Sequence, residues 1–284
     1  MRPFAQVLFI ISSLSFLQAE TVVCSFSILK DLCEQLCDGI AEISVDSIVP
    51  NSADPHTYQP SPNISKILAK ADLVIVNGLN LEGWLDQLIE ASGYTGYITI
   101  ASEGVTPRYI GNLPDPHIWH DPMHVCAMID TMTDALTETF PKHKEKIESN
   151  REKLMEAFKK LKVNIAIQFS AISKERRVML TTHDAFAYFG EAFDIKVLSP
   201  HGISTSDDPS AKDMATLVKQ IQSLNISAIF LEHLSNPTIV KVIAEETKKE
   251  IKGTLYADSL KPGLHLQDTI WDNAKTITEA MTSA

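Results

Sequence analysis

Between Asp115 and His124 the chain reads Asp-Pro-His-Ile-Trp-His-Asp-Pro-Met-His, which places three histidines and two carboxylates in ten residues. Imidazole and carboxylate are the ligands that suit zinc and its first-row neighbours, so this density points to metal binding. The same Asp-Pro-His tripeptide occurs at Asp54-Pro55-His56, and one small device used on two loops strengthens the reading. His117, His120 and His124 do not make a complete site by themselves. Asp121-Pro122 has the form of an N-cap followed by proline in the first turn, which predicts a helix from there to about Phe140. His117 then precedes the helix and His124 lies in its first turn. The three cannot share a face, so His117 needs partners from elsewhere. His120 and His124 are expected to be solvated, or to support a ligand rather than act as one.

The elements that must position such a site belong to a chain of 284 residues, 44% apolar, long enough for two domains. A net charge of −11 argues against nucleic acid as a partner, because phosphate binding needs concentrated Lys and Arg. Met1-Arg2-Pro3-Phe4, an apolar run from Val7 to Leu17 and the ending Gln18-Ala19 have the form of a secretory signal peptide over residues 1–19. The run is too short to span a bilayer. Cys24 invites a lipoprotein reading, but Val23 is a poor match to the small residue such processing requires, so soluble export is expected. Cys33 and Cys37 stand four apart on an expected helix, a spacing that suits a disulfide poorly. With no Cys-x-x-Cys present, the four cysteines read as small buried hydrophobes.

Strands alternate with helices along the rest of the chain. Thr21 to Phe26 is an expected strand, and Ile28, Leu29, Leu32, Cys33, Leu36 and Cys37 have helical spacing up to Gly39. Further strands are expected at Ile43–Val49, Asp72–Val76 and Tyr97–Ile100, with helices from Ser61-Pro62 to about Lys70 and from Glu82 to Ser92. Between Lys142 and about Ile172 there is no Gly or Pro. Ile147, Leu154, Phe158, Leu161, Ile165 and Ile172 fall at helical intervals there, predicting one helix of roughly 45 Å. Beyond it come strands at Arg177–Thr181, Ile195–Ser199, Ile226–Leu231 and Gly253–Tyr256. Helices are expected at Asp184–Phe193, from Asp208-Pro209 to Leu224, from Asn236-Pro237 to Glu250, and from about Gln267 to the C-terminal region. The fold class is α/β: an N-terminal lobe over residues 20–140, a linking helix over 141–172 and a C-terminal lobe over 173–284. Each lobe should hold a mainly parallel sheet covered by helices.

In open α/β sheets, ligands bind in the crevice beyond the carboxyl ends of the strands. That rule selects His56 after the strand ending at Val49, His117 after the one ending at Ile100, His183 after Thr181-Thr182, and Asp258 after Tyr256-Ala257. Two come from each half. If the halves face each other, three imidazoles and one carboxylate close a tetrahedral site in the cleft between them. Glu232 also follows a strand end and is expected to accept a hydrogen bond from a ligand imidazole. Asp184 is expected to cap the helix that follows it. His201, His143 and His265 have no partner visible in the sequence.

Six stretches resemble one family. They are Asp54-Pro55-His56-Thr57-Tyr58, Asn77-Gly78-Leu79-Asn80-Leu81-Glu82, Asp115-Pro116-His117-Ile118-Trp119, Thr182-His183-Asp184-Ala185-Phe186-Ala187-Tyr188-Phe189, Gly202-Ile203-Ser204-Thr205 and Leu255-Tyr256-Ala257-Asp258. The chain is similar over its mature length to the metal-binding solute-binding proteins of bacterial ABC importers for zinc, manganese and iron, the family of the treponemal zinc/manganese binder. The resemblance implies two α/β lobes joined by one long helix that permits only small lobe movements. It also implies metal ligands at His56, His117, His183 and Asp258. The cargo would be one divalent transition metal ion (zinc, manganese or ferrous iron), captured in the periplasm of a Gram-negative cell and passed to an ABC-type membrane permease. The protein would act as a monomer and perform no chemistry. Ser102 to Pro114 lacks the histidine-rich loop of many zinc importers, and His183 stands where dedicated manganese binders often have Glu. The metal therefore stays open. Capture is expected to weaken as pH falls through about 6.5 and the histidines protonate. The alternative from another class is a secreted metal-dependent hydrolase, which needs an open coordination position and a general base beside it. No His-Glu-x-x-His occurs.

Overall fold

The computed structural model describes residues 20–205 and 226–282, together with isolated positions between 212 and 223. The expected signal peptide lies outside the described residues, and so does most of the helix expected from Asp208-Pro209 to Leu224.

The N-terminal lobe is built on β1 (Glu20–Phe26), β2 (Ile43–Val49), β3 (Leu73–Val76) and β4 (Tyr97–Ile100), all parallel, in the order β2-β1-β3-β4. Helices α1 (Ser27–Leu36), α2 (Pro62–Leu68) and α3 (Leu85–Ser92) supply the crossovers. A short antiparallel hairpin, β5 (Tyr109–Ile110) with β6 (Leu113–Pro114), which the sequence does not signal, precedes α4 (Pro122–Thr139). Helix α4 begins where expected. The Asp121 carboxylate accepts the Met123 N–H at 2.9 Å and Pro122 occupies the first turn.

The long helix α5 (Lys144–Ser170) is shorter at its start than its Gly- and Pro-free run suggests, because Pro141–His143 form a 3₁₀ turn ahead of it. Its 27 residues reach about 40 Å. Ile147, Asn150, Leu154, Phe158, Leu161, Ile165 and Phe169 are buried at intervals of three and four, the stripe of an amphipathic helix.

The C-terminal lobe holds β7 (Val178–Leu180), β8 (Lys196–Leu198), β9 (Ala228–Glu232) and β10 (Ile251–Leu255), again parallel, in the order β10-β9-β7-β8. Numbered from its own first strand this is the order 2-1-3-4 of the N-terminal lobe, so the two lobes share a topology. Helix α6 (Ala187–Phe193) and the helices Thr238–Thr247 and Leu266–Thr282 cover this sheet.

Three helix starts and ends depart from expectation. The helix expected from Glu82 begins at Leu85, because Gly78, Leu79 and Asn80 all take positive φ (81°, 56° and 62°) and Glu82 folds back onto the strand end. At Gly78 a Cβ would lie 2.5 Å from the Ile100 side chain, so only glycine fits. The helix expected from Asp184 begins at Ala187, and Asp184 does not cap it. Its own N–H is tied to the Gly202 carbonyl instead, and Phe186 occupies the cap position with no side-chain bond. The helix expected to reach Glu250 stops at Thr247, where Lys248 turns to φ 53°.

One apolar core runs from β1 and α1 through α5 to the C-terminal lobe, joining Val22, Leu29, Phe158, Phe169, Phe189, Phe230 and Ile277. A smaller cluster of Val178, Leu180, Ile229, Val240 and Ile243 fills the other face of the second sheet. Because the lobes and the long helix share their main core, large rotations of one lobe against the other would open that core to water. Cys24, Cys33, Cys37 and Cys126 are free thiols buried in it, as their reading as small hydrophobes requires. Among the described residues no helix is long and apolar enough to cross a membrane.

Candidate metal centre

Each of the four residues selected by the strand-end rule leaves the carboxyl end of a parallel strand, and the two sheets turn those ends toward one another. His56 lies on the loop after β2, His117 beyond the hairpin that follows β4, His183 just after β7 and Asp258 just after β10. Their ligand atoms all fall within 4.8 Å of one another. His117 Nε2 is 3.1 Å from His56 Nε2 and 3.2 Å from His183 Nε2. The Asp258 carboxylate stands 3.5 Å from His117 Nε2 through Oδ1 and 3.4 Å from His183 Nε2 through Oδ2. A tetrahedral ion with bonds of about 2 Å spaces its ligands roughly 3.3 Å apart. The four separations given, 3.1 to 3.5 Å, lie close to that spacing.

The hydrogen bonds behind the rings decide which nitrogen faces inward. His117 Nδ1 meets Asp115 Oδ1 at 2.8 Å, and His183 Nδ1 meets Glu232 Oε2. A carboxylate can only accept, so both rings carry a proton on Nδ1 and turn Nε2, the atom a metal ion would take, toward the cleft. The two Nε2 atoms stand 3.2 Å apart, a spacing that needs either a proton or a cation between them. The buried Asp258 Oδ1 likewise has no hydrogen-bond partner among the described residues, which a cation would supply.

Electrostatics agree with that need. Burial and the neighbouring imidazoles push His56 and His117 well below the ordinary histidine value, keeping both neutral. Burial alone would also push His183 down, but the Glu232 and Asp258 carboxylates outweigh it and hold the ring up at about 10. Burial raises Asp258 to about 7. In the metal-free protein a proton on His183 therefore takes the place of the cation. The expectation that the site's histidines as a group protonate near 6.5 is corrected. His56 and His117 are too buried, and the titrating groups are His183 and Asp258.

The repeated Asp-Pro-His device has a physical meaning. In both copies the aspartate Oδ1 accepts the N–H of the histidine two residues on, at 2.8 Å for Asp54 and 3.1 Å for Asp115, a turn in which side chain replaces backbone. Asp115 also holds the His117 ring and is paired with Arg108 at 2.9 Å. Sequence reasoning did not assign these aspartates, although the repeat itself was the available signal. Glu232 stands as expected, accepting the backbone N–H groups of Thr182 and His183 at 2.8 and 3.1 Å besides the ring proton. Glu82, in the equivalent place of the N-terminal lobe, accepts from Ser25 Oγ at 2.6 Å and from the N–H groups of Asn77 and Gly78 at 2.7 and 3.1 Å. Each buried carboxylate bridges two strand ends of its lobe, Glu82 those of β1 and β3 and Glu232 those of β7 and β9.

The remaining histidines lie outside the cluster. His120 is buried 4.3 Å from the Phe186 ring, and burial lowers it to about 3. His124 is half-buried against Tyr188. His201 lines an open groove of about 850 Å³ between the lobes, whose wall also includes His56, Leu79, Leu113 and Ile203. His143 pairs with Glu20 at 3.1 Å and His265 with Asp31 at 2.6 Å.

Two α/β lobes of one topology, a long joining helix and a cluster of three imidazoles and one carboxylate in the shared cleft define a metal-binding substrate-binding protein of an ABC importer. The family described as zinc-uptake complex component A, periplasmic, matches residues 22–284, and the chain belongs to it. Among its relatives is the manganese-binding lipoprotein MntA of Bacillus subtilis, 28% identical over 276 residues that cover 92% of this chain and 89% of the relative. The iron-binding protein YfeA of Yersinia pestis is 28% identical over 244 residues, 84% of this chain and 78% of the relative. The periplasmic zinc-binding protein TroA of Treponema pallidum has the same fold, with a TM-score of 0.87 over 92% of this chain and 99% of its own at 23% identity. Members of this family bind and deliver, which sets aside the metal-dependent hydrolase.

Proposed function

We propose that His56, His117, His183 and Asp258 hold one divalent transition metal ion (zinc, manganese or ferrous iron) as cargo and present it to an ABC-type permease. The observation that carries this reading is the set of three inward-facing Nε2 atoms, 3.1 and 3.2 Å apart, closed by the Asp258 carboxylate. Four closing ligands favour holding over catalysis, which needs an open position. MntA, YfeA and TroA are named for manganese, iron and zinc respectively, and three imidazoles with one carboxylate suit all three metals.

The chain works in the periplasm of a Gram-negative cell, exported by residues 1–19. Export as a soluble protein is supported by Cys24, which lies inside β1, fully buried and paired with Ser47 and Ile75. An acyl anchor there would dismantle the strand. The protein acts as a monomer with no nucleic-acid partner, in keeping with its charge of −11. Residues 20–140 and 173–284 form the lobes and 141–172 the link.

The test is metal analysis of residues 20–284, stripped with chelator and equilibrated anaerobically with equal zinc, manganese and ferrous iron. One retained equivalent in the wild type, lost in a folded His117→Ala variant, is the expected result. A folded wild type that retains no metal would overturn the assignment.

A further inference from the structure

His56 differs from the other three residues of the centre in two ways. It alone is not fully buried. Its ring also has no orienting carboxylate among the described residues, whereas His117 has Asp115 and His183 has Glu232. What places His56 is its loop, which is tied to its own lobe by the Trp84 indole N–H on the Pro55 carbonyl at 2.9 Å and to the opposite lobe at two points. Asn51 exchanges two hydrogen bonds with the Leu260 backbone, at 2.8 and 2.7 Å, two residues beyond Asp258. Asp54 accepts the His56 N–H through Oδ1 at 2.8 Å and, through Oδ2, the Thr205 hydroxyl at 2.5 Å.

Thr205 lies at the end of a segment that is itself tied to the His183 loop. Asp184 donates its N–H to the Gly202 carbonyl at 3.0 Å, and His201 donates to the Thr182 carbonyl at 3.4 Å. The contact between Asp54 and Thr205 therefore links the loop carrying His56 in one lobe to the loop carrying His183 in the other. It does so beside the groove that is lined by His56 and by residues 199–204.

We infer that Thr205 is a positioning residue that latches the Asp54–His56 loop across the cleft and so sets the rate at which bound metal leaves. The inference rests on the metal-site reading above. With the latch closed, the His56 backbone is held from both sides and its ring is kept on the ion. With the latch open, His56 is the one ligand that can swing out along the groove, because His117, His183 and Asp258 stay braced by Asp115, Glu232 and burial. The donor is a hydroxyl and the acceptor a carboxylate, so the bond is of the stronger, charge-assisted kind.

The experiment uses residues 20–284 loaded with one equivalent of zinc, mixed rapidly with an excess of chromophoric chelator, for the wild type, Thr205→Val and Thr205→Ser. Valine keeps the shape and removes the donor, while serine keeps the donor. Thr205→Val is expected to release zinc faster by on the order of tenfold, with an unchanged association rate, and Thr205→Ser to release at the wild-type rate. A thermal melt of the metal-free proteins checks that all three are folded. Wild-type release from folded Thr205→Val overturns the latch, and so does equal acceleration in Val and Ser. A wild type that takes up no zinc instead overturns the metal-site reading, which separates the two failures.

Discussion

Glu232 and His183, 49 residues apart in the chain, meet with no solvent exposure of either side chain, Oε2 of the carboxylate against Nδ1 of the ring. The same carboxylate accepts the backbone N–H groups of Thr182 and His183 through Oε1, so it fixes both the place and the tautomer of the imidazole. In Glu232→Gln the amide oxygen is expected to keep the two backbone bonds and turn the NH₂ toward Nδ1. The ring proton is then forced onto Nε2, where the metal must bind. Metal affinity should fall roughly 10–100-fold with the fold retained, measured by competition titration with a chelator of known affinity. Unchanged affinity would show that Glu232 does not set the tautomer.

Metal affinity should rise with pH across the neutral range. In the metal-free protein His183 is held protonated up to about 10 by Glu232 and Asp258, and burial holds Asp258 up at about 7. An incoming ion must displace the His183 proton throughout this range and a second proton, from Asp258, in the more acidic part of it. Apparent affinity should therefore increase about tenfold for each pH unit per proton displaced, more steeply below about pH 7 than above it. Proton release on zinc addition, read calorimetrically in buffers of different ionisation enthalpy, checks the number directly. Uptake without proton release would contradict the assignment of these two groups.

The sheets were legible where hydrophobic runs were short and bounded. Ile43–Val49 and Tyr97–Ile100 emerge with the limits their sequence predicts: both are edge strands rich in β-formers and bounded by a turn residue, Pro50 after the first and Gly96 before the second. Strand ends in turn located the four residues of the centre. Hidden from the sequence were the partners that fix those residues in place. Asn51 and Leu260 lie 209 positions apart, and Asp54 and Thr205 lie 151 apart. No local pattern marks such pairs, since any polar residue on a loop has the same signature. The helix starts at Leu85 and Ala187 were displaced for a related reason. Glu82 and Asp184 look like helix-initiating acids, but tertiary hydrogen bonds hold their segments in other conformations.

Trp119 couples the centre to the core. Its indole N–H donates to the Ala257 carbonyl at 2.9 Å, next to Asp258, and its ring packs 5.1 Å from Phe26 and 5.3 Å from His117, fully buried. Trp119→Phe keeps an aromatic ring but leaves that carbonyl without its donor. Stability should drop by about 1–3 kcal/mol, read from urea unfolding of the metal-free protein. Metal affinity should weaken with it, because the backbone before Asp258 loses its tie to the opposite lobe. A stability loss with unchanged affinity would show that the Ala257 contact does not position Asp258.

Asn150 interrupts the apolar stripe of α5 between Ile147 and Leu154, and its burial has a specific cause. The side-chain amide donates to the Leu36 and Asp38 carbonyls at 3.0 and 2.9 Å, at the C-terminal end of α1 where helical carbonyls lack partners. Asn150→Ala removes both bonds and opens a void, and should cost about 1–3 kcal/mol in urea unfolding. Asn150→Asp should be worse despite its matching shape. A carboxylate has no N–H to offer and sets negative charge against two carbonyl oxygens. Neither change touches the loops that carry His56, His117, His183 or Asp258, so zinc affinity of the folded fraction should stay at the wild-type value in a competition titration. A parallel fall in affinity would mean that the seating of α1 on the long helix is transmitted to the cleft.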